Sequence, residues 1–197
     1  MSKAVVQSLA NILDFIKECE GLKRELRHSW LSNGRRESVA EHTWRMVMMA
    51  IVLIPQLDEQ INLERLLEMI LIHDLPEVYA GDRPVFKKQQ GNKYLLEKKA
   101  LEKMTKNLPI QTGKHLLDIW LEFEANVTLE AKIAHALDKM EVIIQHNQAD
   151  IKTWTKIEQT PAYSTEYGNV QCDFNKVFKE LRSLIRQDTA KKLNPKL

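Results

Sequence analysis

The sequence contains only two cysteines, and it has no long uninterrupted apolar segment. Cys19 and Cys172 lie far apart and form no CxxC pair, so we expect free thiols in a reducing compartment rather than a disulfide framework. The N-terminal residues lack the apolar core of a signal peptide, and polar residues interrupt every later apolar run. These absences predict a soluble cytoplasmic protein without a membrane span.

A strong charge of one sign is also missing. The 29 lysines and arginines nearly balance the 27 aspartates and glutamates, which gives a net charge of +2 at pH 7. This balance gives no electrostatic reason to expect binding to nucleic acid or to an anionic membrane. The sequence also lacks a GxGxxG motif, a P-loop and a GxSxG elbow, so the sites that these motifs build are not predicted.

Apolar residues recur at helical spacing through most of the chain, and no stretch alternates as a half-buried strand would. The 197 residues, 44% of them hydrophobic, are enough for one globular domain with a substantial core. We therefore predict an all-α protein, a compact helical bundle that forms a single domain over residues 1–197. Its core motifs lie within residues 27–150, and residues 151–197 form a C-terminal helical extension.

Three ionisable residues, His73, Asp74 and Glu77, stand in an otherwise apolar predicted helix. Lone charged groups are costly in such a place unless they are paired or bind a metal. Adjacent helical residues lie about 100° apart, so His73 and Asp74 can reach one cation. Glu77 is one turn later and faces the same pocket. The alternative is a core histidine bonded to its neighbouring carboxylate, which is the commoner arrangement for an isolated His-Asp pair.

Two more helices carry candidate site residues. Ser38 and Glu41 have the spacing of a capping box, which predicts that a helix begins just before His42. Apolar residues surround His42 on the helical wheel, so we expect its side chain to point inward. Asp138 lies on a long helix predicted to begin at Thr128, but opposite the aliphatic stripe of that helix. Periodicity alone therefore predicts that Asp138 is exposed.

Residues 22–37 form a polar connector that is rich in arginine. Its simplest interpretation is a solvated loop with one buried tryptophan, Trp30. Arginines that precede a metal site can also bind an anionic substrate, because the guanidinium group pairs with phosphate in a bidentate manner. A second predicted loop, at residues 81–91, follows directly from the acidic helix and can line the mouth of the site, with Asp82 as its candidate residue.

His42, the His73-Asp74 doublet and Asp138, in this order on three predicted helices, resemble the motif set of the HD-domain metal-dependent phosphohydrolases. Three longer strings are similar to the 5'-deoxynucleotidase branch of that family, and the resemblance covers about residues 10–150. The strings are Glu37-Ser38-Val39-Ala40-Glu41-His42, then His73-Asp74-Leu75-Pro76-Glu77 followed by Gly81-Asp82, and finally Leu137-Asp138-Lys139-Met140-Glu141.

The resemblance implies an HD-domain helical bundle with a divalent metal cation as cofactor. By position, it implies that His42, His73, Asp74 and Asp138 are the metal ligands, which overrides the helical wheel for Asp138. A mixed set of nitrogen and oxygen ligands does not identify the ion, so manganese, cobalt, zinc, iron and magnesium all remain open.

The resemblance also implies roles toward a small-molecule nucleotide substrate. Glu77 and Asp82 match acidic residues of the catalytic centre, where Asp82 can also contact the substrate, and Arg27 matches the residue that binds the phosphate. His28 stands where bacterial members can carry an aromatic residue beside the sugar, and Val85 replaces a hydroxyl residue found in some members.

The expected reaction removes the 5'-phosphate from deoxyribonucleoside monophosphates, and the family suggests a homodimer. One alternative is a related HD hydrolase that acts on another nucleotide, such as a dNTP or an alarmone. The other is a nucleotide-binding HD module with little turnover.

Overall fold

The structure, a computed structural model, describes residues 1–82, 92–160, 163 and 166–194. Over these residues the regular elements are helices and one two-stranded antiparallel sheet. The prediction of an all-α helical bundle is therefore confirmed, with the small sheet as an addition to it. None of the described helices combines the length and the apolar character that crossing a bilayer requires.

The elements follow one another with short connections over most of the described chain. They are α1 (Lys3–Glu18), α2 (Gly21–Arg24), β1 (Leu26–Trp30), β2 (Arg36–Ser38), α3 (Val39–Leu53), α4 (Leu63–Ile72), α5 (Glu77–Ala80), α6 (Lys93–Thr105), α7 (Ile110–Ala125), α8 (Leu129–Gln148), α9 (Asn169–Cys172) and α10 (Lys176–Leu193). Short 3-10 turns at Ile54–Gln56 and Ile151–Thr153 follow α3 and α8.

Helix α8 is the central element, because it packs against α3, α4, α7, α9, α10 and β1. Its aliphatic residues Ile133, Leu137 and Met140 are fully buried. They belong to one hydrophobic core together with Trp120 of α7 and Phe178 of α10. Burial of a large apolar side chain contributes about 1.5–3 kcal/mol, so this core holds α8 in place from several sides.

Side-chain caps fix where the helices that carry the candidate site begin. The Ser38 hydroxyl accepts a hydrogen bond from the Glu41 backbone N–H, and the Glu41 carboxylate accepts one from the Ser38 N–H, so the predicted capping box is confirmed. The sequence likewise predicts that Asn62 caps the helix after it, and Asn62 and Thr128 do cap α4 and α8. Such a cap contributes about 1 kcal/mol, and the one at α3 orients the first turn that carries His42.

The prediction of a solvated connector at residues 22–37 is wrong. The sequence also predicts that Gly21 ends the first helix, but Gly21 begins the short helix α2, and β1 and β2 then form an antiparallel hairpin. Leu26 lies opposite Ser38, and Trp30, which is half-buried, lies opposite Arg36. Trp30 is four residues after Leu26 on β1, whereas Arg36 is only two residues before Ser38 on β2. The extra residues on β1 form a bulge. The strand was missed because so short and irregular a segment shows no alternation in sequence.

The His73-Asp74 doublet lies in a turn and not within the predicted continuous helix. Helix α4 ends at Ile72 with His73 as its C-cap, and the chain turns through Pro76 before α5 begins. Proline lacks a backbone N–H and disfavours a helical conformation in the residue before it, which explains the interruption. The sequence predicts that Gly81 ends this helical region, and Gly81 is the C-cap of α5, with a φ of 72° that glycine adopts without strain.

Two boundaries near the C-terminus differ from the prediction. The sequence predicts that Asp173 caps the last helix, but Asn175 caps it, because its side-chain oxygen accepts hydrogen bonds from the backbone N–H groups of the first turn. The sequence also predicts that this helix ends near Arg186, but it continues to Leu193.

Helices α6 and α7 also differ from the prediction. Residues 92–107 are rich in lysine and glutamate, which predicts a solvated helix, but Leu101 and Met104 of α6 are buried. The sequence predicts that the next helix begins at Thr112, but α7 begins at Ile110. Most of the predicted loop at residues 81–91, including Val85, lies outside the described residues.

Gly168 provides a test of the close packing between the C-terminal segment and α8. It has a φ of +78°, and an added Cβ would lie 2.9 Å from Lys139 Cβ. Gly34, in the hairpin turn, has a φ of +85°, but an added Cβ there would meet no atom within 4 Å.

We expect Gly34→Ala to reduce the unfolding free energy by about 1–2 kcal/mol through backbone strain alone. Gly168→Ala should reduce the unfolding free energy by more than Gly34→Ala does, because a steric clash adds to the backbone strain. Urea denaturation followed by circular dichroism measures both, and equal losses would contradict the close approach.

Candidate active site

His42, His73 and Asp138 meet from α3, the end of α4 and α8, with one possible ligand atom from each within 4.8 Å of the others. His42 Nε2 lies 3.3 Å from Asp138 Oδ1 and 3.9 Å from Asp74 Oδ2. His73 Nε2 lies 3.1 Å from Asp74 Oδ2. The structure thus brings together the four residues that the resemblance assigns as metal ligands.

The histidine nitrogens that face this cluster lie within 3.3 Å of carboxylate oxygens, but their contacts do not have the geometry of a hydrogen bond. His42 is fully buried and His73 is 6% exposed, yet neither Nε2 makes a hydrogen bond within the part of the chain that the structure describes. An unpaired buried polar atom costs about 1–3 kcal/mol. A divalent cation would pair with both nitrogens and offset the adjacent carboxylates of Asp74 and Asp138, so the residues present fit such an ion.

The opposite nitrogen of each imidazole is held by the protein. His73 Nδ1 donates a hydrogen bond to the Ile70 carbonyl oxygen at 2.8 Å, and His42 Nδ1 contacts the Glu141 carboxylate. Burial acts to raise the pKa of Glu141, but the charges of His42 and Arg27 outweigh it and lower that pKa, so the carboxylate accepts from Nδ1–H. Burial and the charge of Arg27 act to lower the pKa of His42, but Glu141 and Asp138 raise it to about 9, so without a cation this ring holds a proton on both nitrogens at neutral pH. A bound cation would displace the proton from Nε2, and each neutral ring would then present the Nε2 lone pair that a metal requires.

Glu141 is a site residue to which sequence reasoning gave no role. The string Leu137–Glu141 contained it, but only as a part of the motif around Asp138. The available signal was its spacing, because position i+3 from Asp138 lies on the same helical face. A carboxylate that orients a ligand histidine is a common feature of metal centres.

Cationic side chains offset the acidic side of the cluster. Arg27 NH1 lies 3.2 Å from Asp74 Oδ2, and Lys139 Nζ lies 2.7 Å from Asp138 Oδ2. Burial acts to raise the pKa of Asp74, but the charges of His73 and Arg27 lower it below its ordinary value. Burial likewise opposes ionisation of Asp138, and Lys139 is the main group that lowers its pKa well below the usual range. Both carboxylates are therefore ionised at neutral pH.

The helical-wheel prediction that Asp138 is exposed is wrong. Its side chain is only 13% exposed, and it shares a second buried face of α8 with Glu141 and Gln145. This face meets α3 and β1, where Gln145 accepts a hydrogen bond from Arg45 at 2.5 Å and donates one to the Trp30 carbonyl oxygen at 2.5 Å. A polar face covered by neighbouring elements has the same periodicity as a solvated face, so the wheel could not tell them apart.

Glu77 and Asp82 stand beside this cluster. Glu77, the first residue of α5, is 4% exposed, and its Oε2 has no hydrogen-bond partner among the described residues. Burial and the charges of Asp74 and Asp82 raise the pKa of Glu77 to about 10. Asp82 is half-buried, its N–H donates to Glu25 Oε1 at 2.9 Å, and burial raises the pKa of its carboxyl group. Glu77 therefore carries a proton at neutral pH.

Two of the three residues predicted to contact the substrate, Arg27 and His28, are neighbours on the bulged part of β1, and the third is Asp82. Arg27 is 8% exposed, and its guanidinium lies between Asp74 and Glu37, with Nε 3.8 Å from Glu37 Oε2. The His28 side chain is 26% exposed, and its Nε2 lies 2.7 Å from Glu158 Oε1. Arg27 thus reaches the ligand cluster, while His28 contacts the C-terminal region.

His28 belongs to a second polar cluster, with His146 and Glu158. His146 Nδ1 lies 3.1 Å from the Tyr163 hydroxyl, and its Nε2 lies 3.3 Å from Ser29 Oγ. Unlike the ligand histidines, His146 therefore has protein partners at both ring nitrogens. The second cluster needs no cation to satisfy it, and we interpret it as a hydrogen-bonded network.

His146 predicts a loss of stability in acid. Burial, only partly offset by the charge of Glu158, lowers the pKa of His146 from 6.5 to about 4. The unfolded chain takes up a proton below pH 6.5, whereas the folded protein takes it up only near pH 4, so acidification through this window favours unfolding. His146 is expected to lower the unfolding free energy by up to about 1.4 kcal/mol for each pH unit of acidification in this window.

Urea denaturation at pH 7, 5.5 and 4.5 measures this slope. His146→Gln should make the loss of unfolding free energy with falling pH shallower. His115→Gln, at an exposed position on α7, serves as the matched control and should keep the wild-type slope. Identical slopes in the two variants would show that His146 does not cause the acid sensitivity.

Comparison with known proteins identifies the family of this chain. Residues 19–182 match the family model described as HD domain. A 5'-deoxynucleotidase HDDC2 from Dictyostelium discoideum is 37% identical over an alignment of 145 residues, with coverage of 70% of this chain and 76% of the relative. The Homo sapiens protein of the same name is 33% identical over 141 residues, with coverage of 70% of this chain and 68% of the relative.

A solved structure is also similar to this chain. It is a crystal structure described as a predicted metal-dependent phosphohydrolase from Magnetospirillum magnetotacticum MS-1, with a TM-score of 0.80 and 28% sequence identity. The match covers 95% of this chain and 93% of the other. The chain therefore belongs to the HD domain family, as the order of its histidine and aspartate motifs indicated.

Proposed function

We propose that the protein is a metal-dependent phosphohydrolase that removes the 5'-phosphate from deoxyribonucleoside monophosphates. The observation that carries this proposal is the pair of buried, unpartnered Nε2 atoms of His42 and His73 beside two ionised carboxylates. The two 5'-deoxynucleotidase relatives support the substrate class. The name of the bacterial structure supports metal dependence.

We assign His42, His73, Asp74 and Asp138 as the residues that would hold the metal. A divalent cation bound there would supply Lewis-acid polarisation of a phosphoryl oxygen and would lower the pKa of a water molecule. The chemistry of the donor set leaves manganese, cobalt, zinc, iron and magnesium as candidates.

Arg27 would bind the phosphate of the substrate. Its NH1 lies 3.2 Å from Asp74 Oδ2, which places the guanidinium group at the edge of the ligand cluster. A guanidinium group stays charged and offers several donors in a fixed plane, which suits a phosphoryl group. It would also offset the charge that develops on the phosphoryl oxygens during the reaction.

Glu77 would act as a general acid. Because its pKa is raised to about 10, it carries a proton that it can donate to the departing 5'-oxygen of the nucleoside. Asp82, at the end of α5, is the second acidic group near the site and would orient the attacking water or contact the substrate. This assignment keeps Glu77 out of the metal ligand set, which the four other residues complete.

We further propose that residues 1–197 form one HD domain in a cytoplasmic protein. The packing of α10 against α8 and the family match up to residue 182 support including the C-terminal region in the domain. The free thiols of Cys19 and Cys172 are compatible with a reducing compartment. A homodimer stays a prediction from the family, which light scattering of the purified protein would test.

Phosphate release from a panel of nucleotides tests the proposed activity. We expect the metal-loaded protein to act on deoxyribonucleoside monophosphates with the highest kcat/KM, above ribonucleoside monophosphates, dNTPs and alarmones. Equal kcat/KM for dAMP and AMP would reject deoxyribose selection. Faster turnover of a dNTP or an alarmone would favour the other HD hydrolase activity, and nucleotide binding without phosphate release would indicate a non-catalytic module.

A pair of variants separates the metal ligands from the proposed acid. Glu77→Gln keeps the shape of the side chain but removes its titrating group, so we expect retained metal and a kcat lower by about 10²–10⁴-fold. His73→Ala should lose bound metal and activity together while the helical circular dichroism spectrum persists.

Metal analysis of both purified variants, together with steady-state kinetics, decides between these roles. If Glu77→Gln is purified without metal, Glu77 is a ligand and the four-residue set is misassigned. If it remains fully active, the acid is Asp82 or water. Full metal occupancy in His73→Ala would remove His73 from the ligand set.

A further inference from the structure

We propose that Glu158 is a positioning residue, which fixes the orientation and the tautomer of His28 so that His28 Nδ1 accepts a hydrogen bond from a sugar hydroxyl of the substrate. This inference rests on the proposed nucleotidase function. It gives the segment after α8, which lies beyond the recognised motifs, a part in substrate recognition.

The bulge in β1 lets neighbouring side chains serve both the metal ligands and the C-terminal region. In a regular strand adjacent side chains point to opposite faces. In the bulge, however, Arg27, His28 and Ser29 all reach polar groups in the interior, Arg27 at Asp74 and His28 at Glu158. His28 therefore stands directly beside the proposed phosphate-binding residue, with about a quarter of its side chain open to solvent, as a 26% exposure shows.

Its own segment holds Glu158 rigidly. Glu158 Oε2 accepts a hydrogen bond from the Thr155 backbone N–H at 2.6 Å, and the Glu158 N–H donates to the Thr155 hydroxyl at 3.4 Å. Trp154 Nε1 donates to the His146 carbonyl oxygen at 2.9 Å, which fastens the segment to the end of α8. The Glu158 side chain is 1% exposed. These contacts fix the position of the carboxylate, so its other oxygen, Oε1, is held toward His28.

The contact determines which nitrogen of His28 carries the proton. Burial acts to raise the pKa of Glu158, but the hydrogen bond from His28 and the charge of His146 lower it to about 2. An ionised carboxylate only accepts hydrogen bonds, so His28 Nε2 must be the N–H donor in this pair. In the neutral imidazole Nδ1 is then an acceptor, and Glu158 prevents the ring from turning to offer its N–H instead.

An acceptor beside the phosphate site selects a donor on the substrate. The ionised 5'-phosphate offers only acceptors, and the sugar hydroxyls are the donors nearest to it along the nucleotide. The 3'-hydroxyl is present in ribose and in deoxyribose, so this contact predicts recognition of the 3' position and leaves the choice at the 2' position to other groups.

The test compares dAMP with 2',3'-dideoxy-AMP, which lacks the 3'-hydroxyl. We expect the wild-type enzyme to prefer dAMP by about tenfold in kcat/KM, the factor that corresponds to one net hydrogen bond, with the difference mainly in KM. His28→Ala and Glu158→Ala should each reduce this preference toward one. The double variant should show no further loss, because Glu158 acts through His28.

Two further variants distinguish a positioning role of Glu158 from a nonspecific loss of structure. Glu158→Gln should restore part of the preference, since its amide oxygen can still accept from Nε2–H although the amide can also turn its NH₂ group to the ring. Glu166→Ala, at an exposed glutamate before α9, should behave as wild type. Metal content and melting temperature are measured for every variant. If Glu158→Ala does not fold, Glu158→Gln and His28→Ala carry the test.

A wild-type preference in Glu158→Ala, or in Glu158→Gln where Glu158→Ala does not fold, would overturn the positioning role while leaving the nucleotidase function intact. A double variant whose loss is the product of the two single losses would also overturn it. If the wild-type protein releases phosphate from no nucleotide, the proposed function itself fails and the role of Glu158 in recognition falls with it.

Discussion

Two buried imidazole nitrogens, Nε2 of His42 and Nε2 of His73, face ionised carboxylates without a hydrogen-bond partner among the described residues. This arrangement is unfavourable by itself, because unpaired buried polar atoms cost free energy and neighbouring carboxylates repel each other. It persists because other parts of the fold hold each ring from behind, through Glu141 for His42 and through the Ile70 carbonyl oxygen for His73. The packing of α8 against α3 and α4 therefore maintains a set of ligands that only a cation would satisfy.

The charges around this set are balanced by residues on different elements. Arg27 of β1 pairs with Asp74, Lys139 of α8 pairs with Asp138, and Arg45 NH1 of α3 lies 3.3 Å from Glu141 Oε1. Buried ion pairs of this kind are weak evidence for stability, because the cost of removing both charges from water can exceed their attraction. Their more direct consequence is geometric, since each pair fixes a carboxylate whose position matters for metal binding or for orienting a histidine.

Local chemistry made some of this structure predictable from sequence. The capping box at Ser38 and the inward direction of His42 depend on residues within one helical turn, and both are confirmed. The wheel failed for Asp138 because α8 is covered on two sides, and a single-helix pattern contains no information about which neighbour covers the polar face. The hairpin was missed because its strands are short and β1 is bulged, so long-range pairing and not local propensity selects it.

The C-terminal region contains none of the motifs on which the family resemblance rests, yet it contacts the strand that carries Arg27. Asp138 and His146 lie eight residues apart on α8, which corresponds to about 12 Å along the helix axis. The bulged strand β1 reaches both of these positions along α8, because Arg27 contacts the ligand cluster that includes Asp138, while Ser29 contacts His146. A displacement of the segment around Glu158 would therefore act first on His28, which contacts Glu158 directly, and on Arg27 through the same short strand. Motif matching cannot detect such a connection, since Glu158 contributes no ligand or catalytic group. It follows from three-dimensional contacts of a bulged strand that the sequence did not reveal.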